Sequence, residues 1–227
     1  MTTVFGIKHP SVDSGVLVAD RQNTSFDQNS GIPSEKYLGR KIWIGKNNDY
    51  CFGHSGMFDE ETHEFLQKFS EEYFDIQKIT KKGYFPELRK LNVKRMGKKL
   101  PDISKLSGII LGTRFEKNPK LYTCFPLGSV EERVWTTVGS GDEKINEYMK
   151  ALQVLTEARD YIEGSNPDTR DIIRIGLEAV RRAQGRDLYS YGLDMLVFSS
   201  EGIYDHYADL GDDFKKKLNK IQKKYKG

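Results

Sequence analysis

The sequence predicts an α+β protein built as a four-layer α/β/β/α sandwich of two antiparallel sheets. Three observations lead there. Short apolar runs are joined pairwise by polar turns, the mark of antiparallel hairpins. Groups of strands alternate with pairs of helices rather than with single crossover helices, which disfavours a doubly wound parallel sheet. No Pro/Gly-rich linker and no repeat interrupts the 227 residues, so residues 1–227 are expected to form a single domain.

The elements follow in order. Val4 to Ile7 and Gly15 to Asp20 read as strands across a turn at residues 10–15. Arg40 to Gly45 and Asp49 to Ser55 flank Lys46-Asn47-Asn48 as a second hairpin. The polar 23–38 stretch between them reads as loop with ragged strand. Phe65, Leu66, Phe69 and Tyr73 share helical spacing within Asp59 to Phe74, with Glu60 and Glu61 in the first turn. A second helix is expected over Phe85 to Met96. Strands return at Ser107 to Thr113, Lys120 to Phe125 and Val134 to Val138, the last leading into Gly139-Ser140-Gly141. Helices over Lys144 to Ile162 and Thr169 to Gln184 precede a closing hairpin of Leu193 to Ser199 and Gly202 to Tyr207. At about residues 211–227, Phe214, Leu218, Ile221 and Tyr225 form one stripe of a basic C-terminal helix, acidic at its start and lysine-rich at its end as its dipole favours.

Composition narrows the function classes. Hydrophobic residues make up 37% and charged residues 30%, ordinary for a soluble globular chain. No apolar run approaches the roughly 18 residues of a membrane span, and no charged-then-apolar leader precedes the first strand, so a cytoplasmic protein with no membrane partner is expected. A net charge of +3 from 36 basic and 33 acidic side chains gives no reason to expect nucleic acid. Cys51 and Cys124, the two cysteines, read as reduced core residues. His9, His54, His63 and His206 lack ligand spacing, so no metal is expected, and no other cofactor. There is no Gly-x4-Gly-Lys-Ser/Thr loop, hence no ATPase in this chain. Gly53-His54-Ser55-Gly56-Met57 imitates a nucleophile elbow, but position 57 is methionine where glycine is required.

Thr2 stands directly behind Met1. Were the methionine removed, one residue would supply an attacking hydroxyl and, in its α-amine with an ordinary pKa of about 7.7–8.0, a base suited to neutral pH. Taken separately the other polar residues have bland readings. Asp20 and Arg21 could form a surface ion pair, Lys41 a solvated lysine on an edge strand, Ser140 part of a turn, Asp187 and Ser190 a helix-to-strand cap.

Taken in order, six segments resemble the proteasome-type peptidases, which comprise proteasome β subunits and the simpler bacterial HslV. They are Thr2-Thr3-Val4-Phe5-Gly6-Ile7, Val18-Ala19-Asp20-Arg21-Gln22-Asn23-Thr24, Lys41-Ile42-Trp43-Ile44, Phe52-Gly53-His54-Ser55-Gly56, Val138-Gly139-Ser140-Gly141 and Arg186-Asp187-Leu188-Tyr189-Ser190-Tyr191-Gly192. The resemblance runs from residue 2 to about 207. It implies an N-terminal nucleophile hydrolase fold and a threonine-type endopeptidase that cleaves peptide bonds through an acyl-enzyme on Thr2. Asp20 and Lys41 would flank that nucleophile, the Gly53 backbone N–H would form the oxyanion hole, and Ser140, Asp187 and Ser190 would orient the amine. Asn23 and Cys51 would lie near the substrate pocket. The resemblance further implies polypeptide substrates, a homo- or hetero-oligomeric ring and a separate ATP-dependent unfoldase. Two alternatives stay open: a proteasome-like transpeptidase or protein ligase of the connectase type, and a noncatalytic structural ring subunit.

Overall fold

The computed structural model describes residues 3–26, 33–72, 74–96, 106–163, 167–184 and 193–205. Over these residues the protein is a mixed α/β structure with two five-stranded antiparallel sheets, a two-stranded ribbon and five α-helices. The expected C-terminal helix lies outside the described residues.

The first sheet has the order β10-β1-β2-β11-β12, from β10 (Trp135–Gly139), β1 (Thr3–Lys8), β2 (Ser14–Asp20), β11 (Leu193–Ser199) and β12 (Ile203–Asp205). The second runs β5-β6-β7-β8-β9, from β5 (Ile42–Ile44), β6 (Tyr50–Ser55), β7 (Gly108–Thr113), β8 (Lys120–Cys124) and β9 (Val130–Glu132). β2, β6 and β7 are buried along their whole length, which requires cover on both faces.

Three apolar clusters supply that cover. Val4, Leu17, Ala19, Ile42, Cys51, Ile110, Leu121, Leu196 and Phe198 join residues of both sheets. The other side of the second sheet meets α1 (Glu60–Glu71), α2 (Ile76–Lys82) and α3 (Pro86–Met96) in an aromatic cluster around Phe52, Phe69 and Phe85. Phe69 lies 4.6 Å from Phe52 and 5.1 Å from Phe85 between ring centroids, within the range of favourable aromatic pairs. The first sheet instead packs Phe5, Val16 and Val18 against the smaller Ala179, Val180 and Ala183 of α5 (Thr169–Gln184) and Ile145 and Met149 of α4 (Asp142–Glu163).

Differences from the sequence reading have local causes. β3 (Gln22–Phe26) and β4 (Pro33–Leu38) form a ribbon with a bulge at Ser25/Phe26, where the polar sequence suggested mostly loop. Its pairing rests on backbone bonds, which leave no apolar alternation to read. α2 was not expected because seven residues hold only two buried side chains, Ile76 and Ile79. Its signals were present nonetheless: the Asp75 carboxylate accepts from the Lys78 N–H at 2.8 Å, and Gly83 ends it at φ 65°. β9, three residues long, was missed for the same want of length.

Candidate active site

The described chain opens on Thr3, in a strand held on both sides. Thr3 pairs with Gly139 of β10, and Val4 with Ala19 of β2. That register brings Asp20 opposite the chain start, where its Oδ2 accepts from the Thr3 N–H at 3.0 Å. Its other oxygen, Oδ1, accepts from Lys41 Nζ. Lys41 comes from the second sheet, one residue ahead of β5, so the pair bridges the two sheets at one corner.

Both bland readings of these residues fail. Asp20 is 2% exposed and Lys41 3%, so neither is a surface group. Arg21 turns to Asp194 instead, its Nε 3.5 Å from Oδ1. Burial pushes Lys41 below the ordinary lysine value, with Asp20 opposing; burial likewise raises Asp20, opposed by the Lys41 charge and the Thr3 N–H. A buried ion pair of this kind costs several kcal/mol of desolvation per ion, which mutual attraction offsets only when both partners are present.

The turn after β10 closes the corner. Gly139 takes φ 123°, and a Cβ on Gly141 would come 2.5 Å from Thr3 Oγ1 and 2.6 Å from the Ala183 Cβ. Only glycine lets this turn lie against the chain start and α5 together. Ser140 between them is exposed.

The remaining expected residues fall elsewhere. Gly53 is near the corner but its amide is not positioned as expected. The His54 N–H donates to Lys41 O at 2.9 Å, towards β5, so strand alternation turns the Gly53 N–H the other way, to β7 opposite Ile110. Its glycine identity has another cause: a Cβ there would sit 2.4 Å from Val4 Cγ1. The amide is thus directed into the sheet ladder rather than at a substrate oxygen. Cys51 is fully enclosed between the sheets and has no exposed surface, and burial pushes its thiol pKa up. Asn23 lies in β3. Thr2, Asp187 and Ser190 lie outside the described residues. No group of three metal-ligating side chains converges among the described residues.

Sequence reasoning missed Asp194. It is 7% exposed, and its Oδ1 lies 3.5 Å from Arg21 Nε. Burial raises its pKa, opposed by Arg21 and Arg40. The signal was an acidic residue inside an otherwise apolar run, Leu193-Asp194-Met195-Leu196-Val197-Phe198.

A second buried polar centre adjoins the corner. His54 Nε2 hydrogen-bonds Ser107 Oγ at 3.0 Å, and Arg95 Nη1 donates to the same oxygen at 2.7 Å. The pair resembles a serine with its base, yet Ser107 is 0% exposed and can meet no substrate. Burial, then the Arg95 and Lys41 charges, push His54 down to about 3, so it is neutral at physiological pH.

Compared with known proteins, the chain matches no family model and no curated protein.

Proposed function

We propose that this protein is a proteasome-type threonine endopeptidase whose nucleophile is Thr2, freed by removal of the residue ahead of it. The observation that carries this reading is the buried Asp20–Lys41 pair at the chain start. Asp20 binds the Thr3 N–H with one oxygen and the Lys41 ammonium with the other. Thr2 is joined to Thr3 by that same peptide group, its Cα about 3.8 Å away. The structure's succession of helix, sheet, sheet and helix contacts supports a four-layer sandwich in which such a terminus would be enclosed.

The chemistry follows from the charges. The free α-amine takes the proton of the Thr2 hydroxyl as Oγ attacks a peptide carbonyl carbon. The Lys41 ammonium favours the neutral amine by like-charge repulsion and stabilises the developing alkoxide. The proton passes to the leaving amine, and the ester left on Thr2 is hydrolysed by water. Polypeptide substrates, a ring assembly and a separate ATP-driven unfoldase belong to the same reading.

The test is intact mass before and after exposure to an epoxyketone, which reacts with both hydroxyl and amine of an N-terminal threonine. Loss of Met1 and a single adduct, absent from Thr2→Ala, are expected. A protein freed of Met1 that takes no adduct would overturn the reading.

A further inference from the structure

The helical layer over the second sheet divides its charge along the sequence. Residues 59–75, which hold α1, carry seven acidic side chains against Lys68 alone, a net −6. Residues 76–96, which hold α2 and α3, carry seven basic ones against Glu87 alone, a net +6. All three helices bury apolar residues in the same cluster on that sheet, so the two halves lie in one outer layer of the molecule. Among the described residues two ion pairs join the halves, Lys94 with Glu61 and Arg95 with Asp59. Glu64, Glu71 and Glu72 on the acidic half and Lys78, Lys82 and Lys90 on the basic half are exposed.

Helix dipoles account for part of this pattern. Glu60 and Glu61 open α1, while Lys81, Lys82, Lys94 and Arg95 close α2 and α3, each at the end its helix favours. Other charges run against the dipoles. Glu71 ends α1 and Glu72 is its C-cap, where unpaired carbonyls disfavour an acid; Lys78 stands in the first turn of α2, where unpaired N–H groups disfavour a cation. Their own helices give no reason for these three charges, whereas an opposing surface of the other sign does.

We infer that this face pairs with the same face of a second copy, α1 of each lying on α2 and α3 of the other. Only a partner that carries both signs side by side matches both halves. An acidic polypeptide or a nucleic acid is attracted by α2 and α3 but repelled by α1, and a basic one the reverse; the chain itself is complementary to itself. The contact is isologous. Its two-fold axis lies in the interface between the end of α1 and the start of α2, so that Glu71 and Glu72 of each copy meet Lys78 of the other. Val93 on α3 and Leu127, whose neighbour Pro126 accepts from Asn92 at 2.8 Å, are exposed beside the basic half and supply apolar area. The charges set the register and suppress other pairings. The pairing goes beyond the threonine-nucleophile reading and does not depend on it, since no residue of the chain start takes part.

The test reverses one half at a time in the full chain. Glu71→Lys with Glu72→Lys makes the whole layer basic; Lys78→Glu with Lys90→Glu makes it acidic. At 71, 72 and 78 the new charge suits its helix end better than the old, so both variants should fold as well as the parent, which circular dichroism checks. In analytical ultracentrifugation the parent is expected to pair, whether as single chains or as rings, with a dissociation constant about tenfold higher in about 0.5 M salt than in about 0.05 M. Each variant alone should pair at least about a hundredfold more weakly, because like charges then face one another. Mixed in equal amounts, the two variants should return to within about tenfold of the parent, both contacts being restored. A parent that stays unpaired at about 0.1 mM overturns the proposal, including one that instead binds heparin through Lys78. So does pairing that neither reversal weakens, or a mixture of folded variants that stays unpaired. The epoxyketone adduct is read separately, so failure here leaves the peptidase reading standing and failure there leaves the pairing.

Discussion

Two buried polar centres meet at β6, and the chain completes them with different chemistry. Around Ser107 the partners are mostly neutral and mostly backbone. Asn92 donates to Ser107 O at 2.9 Å and Pro126 O at 2.8 Å and accepts from Ser107 N at 2.8 Å, closing a break before β7. The one full charge at Ser107 is the Arg95 guanidinium, which donates to Ser107 Oγ and pairs on its other side with Asp59, the cap of α1. Around Asp20 the partners are full charges, and the ammonium and carboxylate are as enclosed as the neutral groups of the first centre. Neutral side chains that satisfy backbone groups repay their burial in stability. An ion pair in the same depth is matched or bettered by apolar residues of similar volume. The first centre is accounted for by folding, whereas the second calls for a further reason, which the catalysis proposed at the chain start would supply.

The largest expected effect breaks the second centre. Lys41→Met leaves the Asp20 carboxylate buried with only the Thr3 N–H, at a cost of about 3–5 kcal/mol in stability. Under the proposed function it also removes the ammonium that would stabilise the developing alkoxide, and peptide cleavage should fall by at least about a thousandfold. Denaturant unfolding and single-turnover cleavage at equal folded concentration check the two halves. Cleavage within tenfold of the parent would take Lys41 out of the machinery.

Breaking the first centre should cost stability alone. Asn92→Leu leaves Ser107 N, Ser107 O and Pro126 O short of partners, for about 2–4 kcal/mol. Activity per folded molecule should match the parent well below the melting temperature. A parallel loss of kcat would mean that the two centres are coupled through β6.

How far the two centres could be read in the sequence differs for physical reasons. Asp20 ends the apolar run Val16-Leu17-Val18-Ala19, and Lys41 opens another, so both were visible as charges at the ends of buried strands. Asp194 carried a similar signal inside its strand but matched no motif. The first centre was illegible because its partners, residues 54, 92, 95 and 107, are brought together by tertiary packing, and a polar residue on a helix reads as solvent-facing. Gly53 shows the limit of motif reasoning. Its glycine was visible, but whether absence of a Cβ serves a ligand or a neighbouring valine depends on the approach of β1. Long apolar strands and α5 were legible by period; β9, α2 and the polar β3–β4 ribbon lacked the length or the alternation that makes a period visible.

A smaller effect, read by pH, sharpens the comparison. His54 is held down to about 3 from its ordinary 6.5. Between those values the unfolded chain binds a proton that the native protein does not. This stability is full above about pH 6.5 and falls by up to about 1.4 kcal/mol for each unit of acidification towards pH 3. The buried carboxylates Asp20 and Asp194 work in the opposite sense, because their raised pKa values let the native protein take up protons first. The difference between the parent and His54→Gln isolates the histidine: the variant's stability should decline less steeply from pH 6.5 to 4.5. Equal slopes would mean that His54 is protonated in the native state.

The smallest expected effect on stability is the most discriminating. Asp20→Asn combined with Lys41→Met removes both charges but leaves an acceptor for the Thr3 N–H. If the pair is there for chemistry rather than for folding, the double variant should unfold within about 1 kcal/mol of the parent, well above Lys41→Met alone, because no uncompensated charge remains. It should still fail to cleave peptide. A double variant as unstable as the single one would mean that the ion pair itself holds the two sheets together at this corner. The contrast with the Asn92 centre would then disappear, since both would be structural supports and neither would need catalysis to explain it.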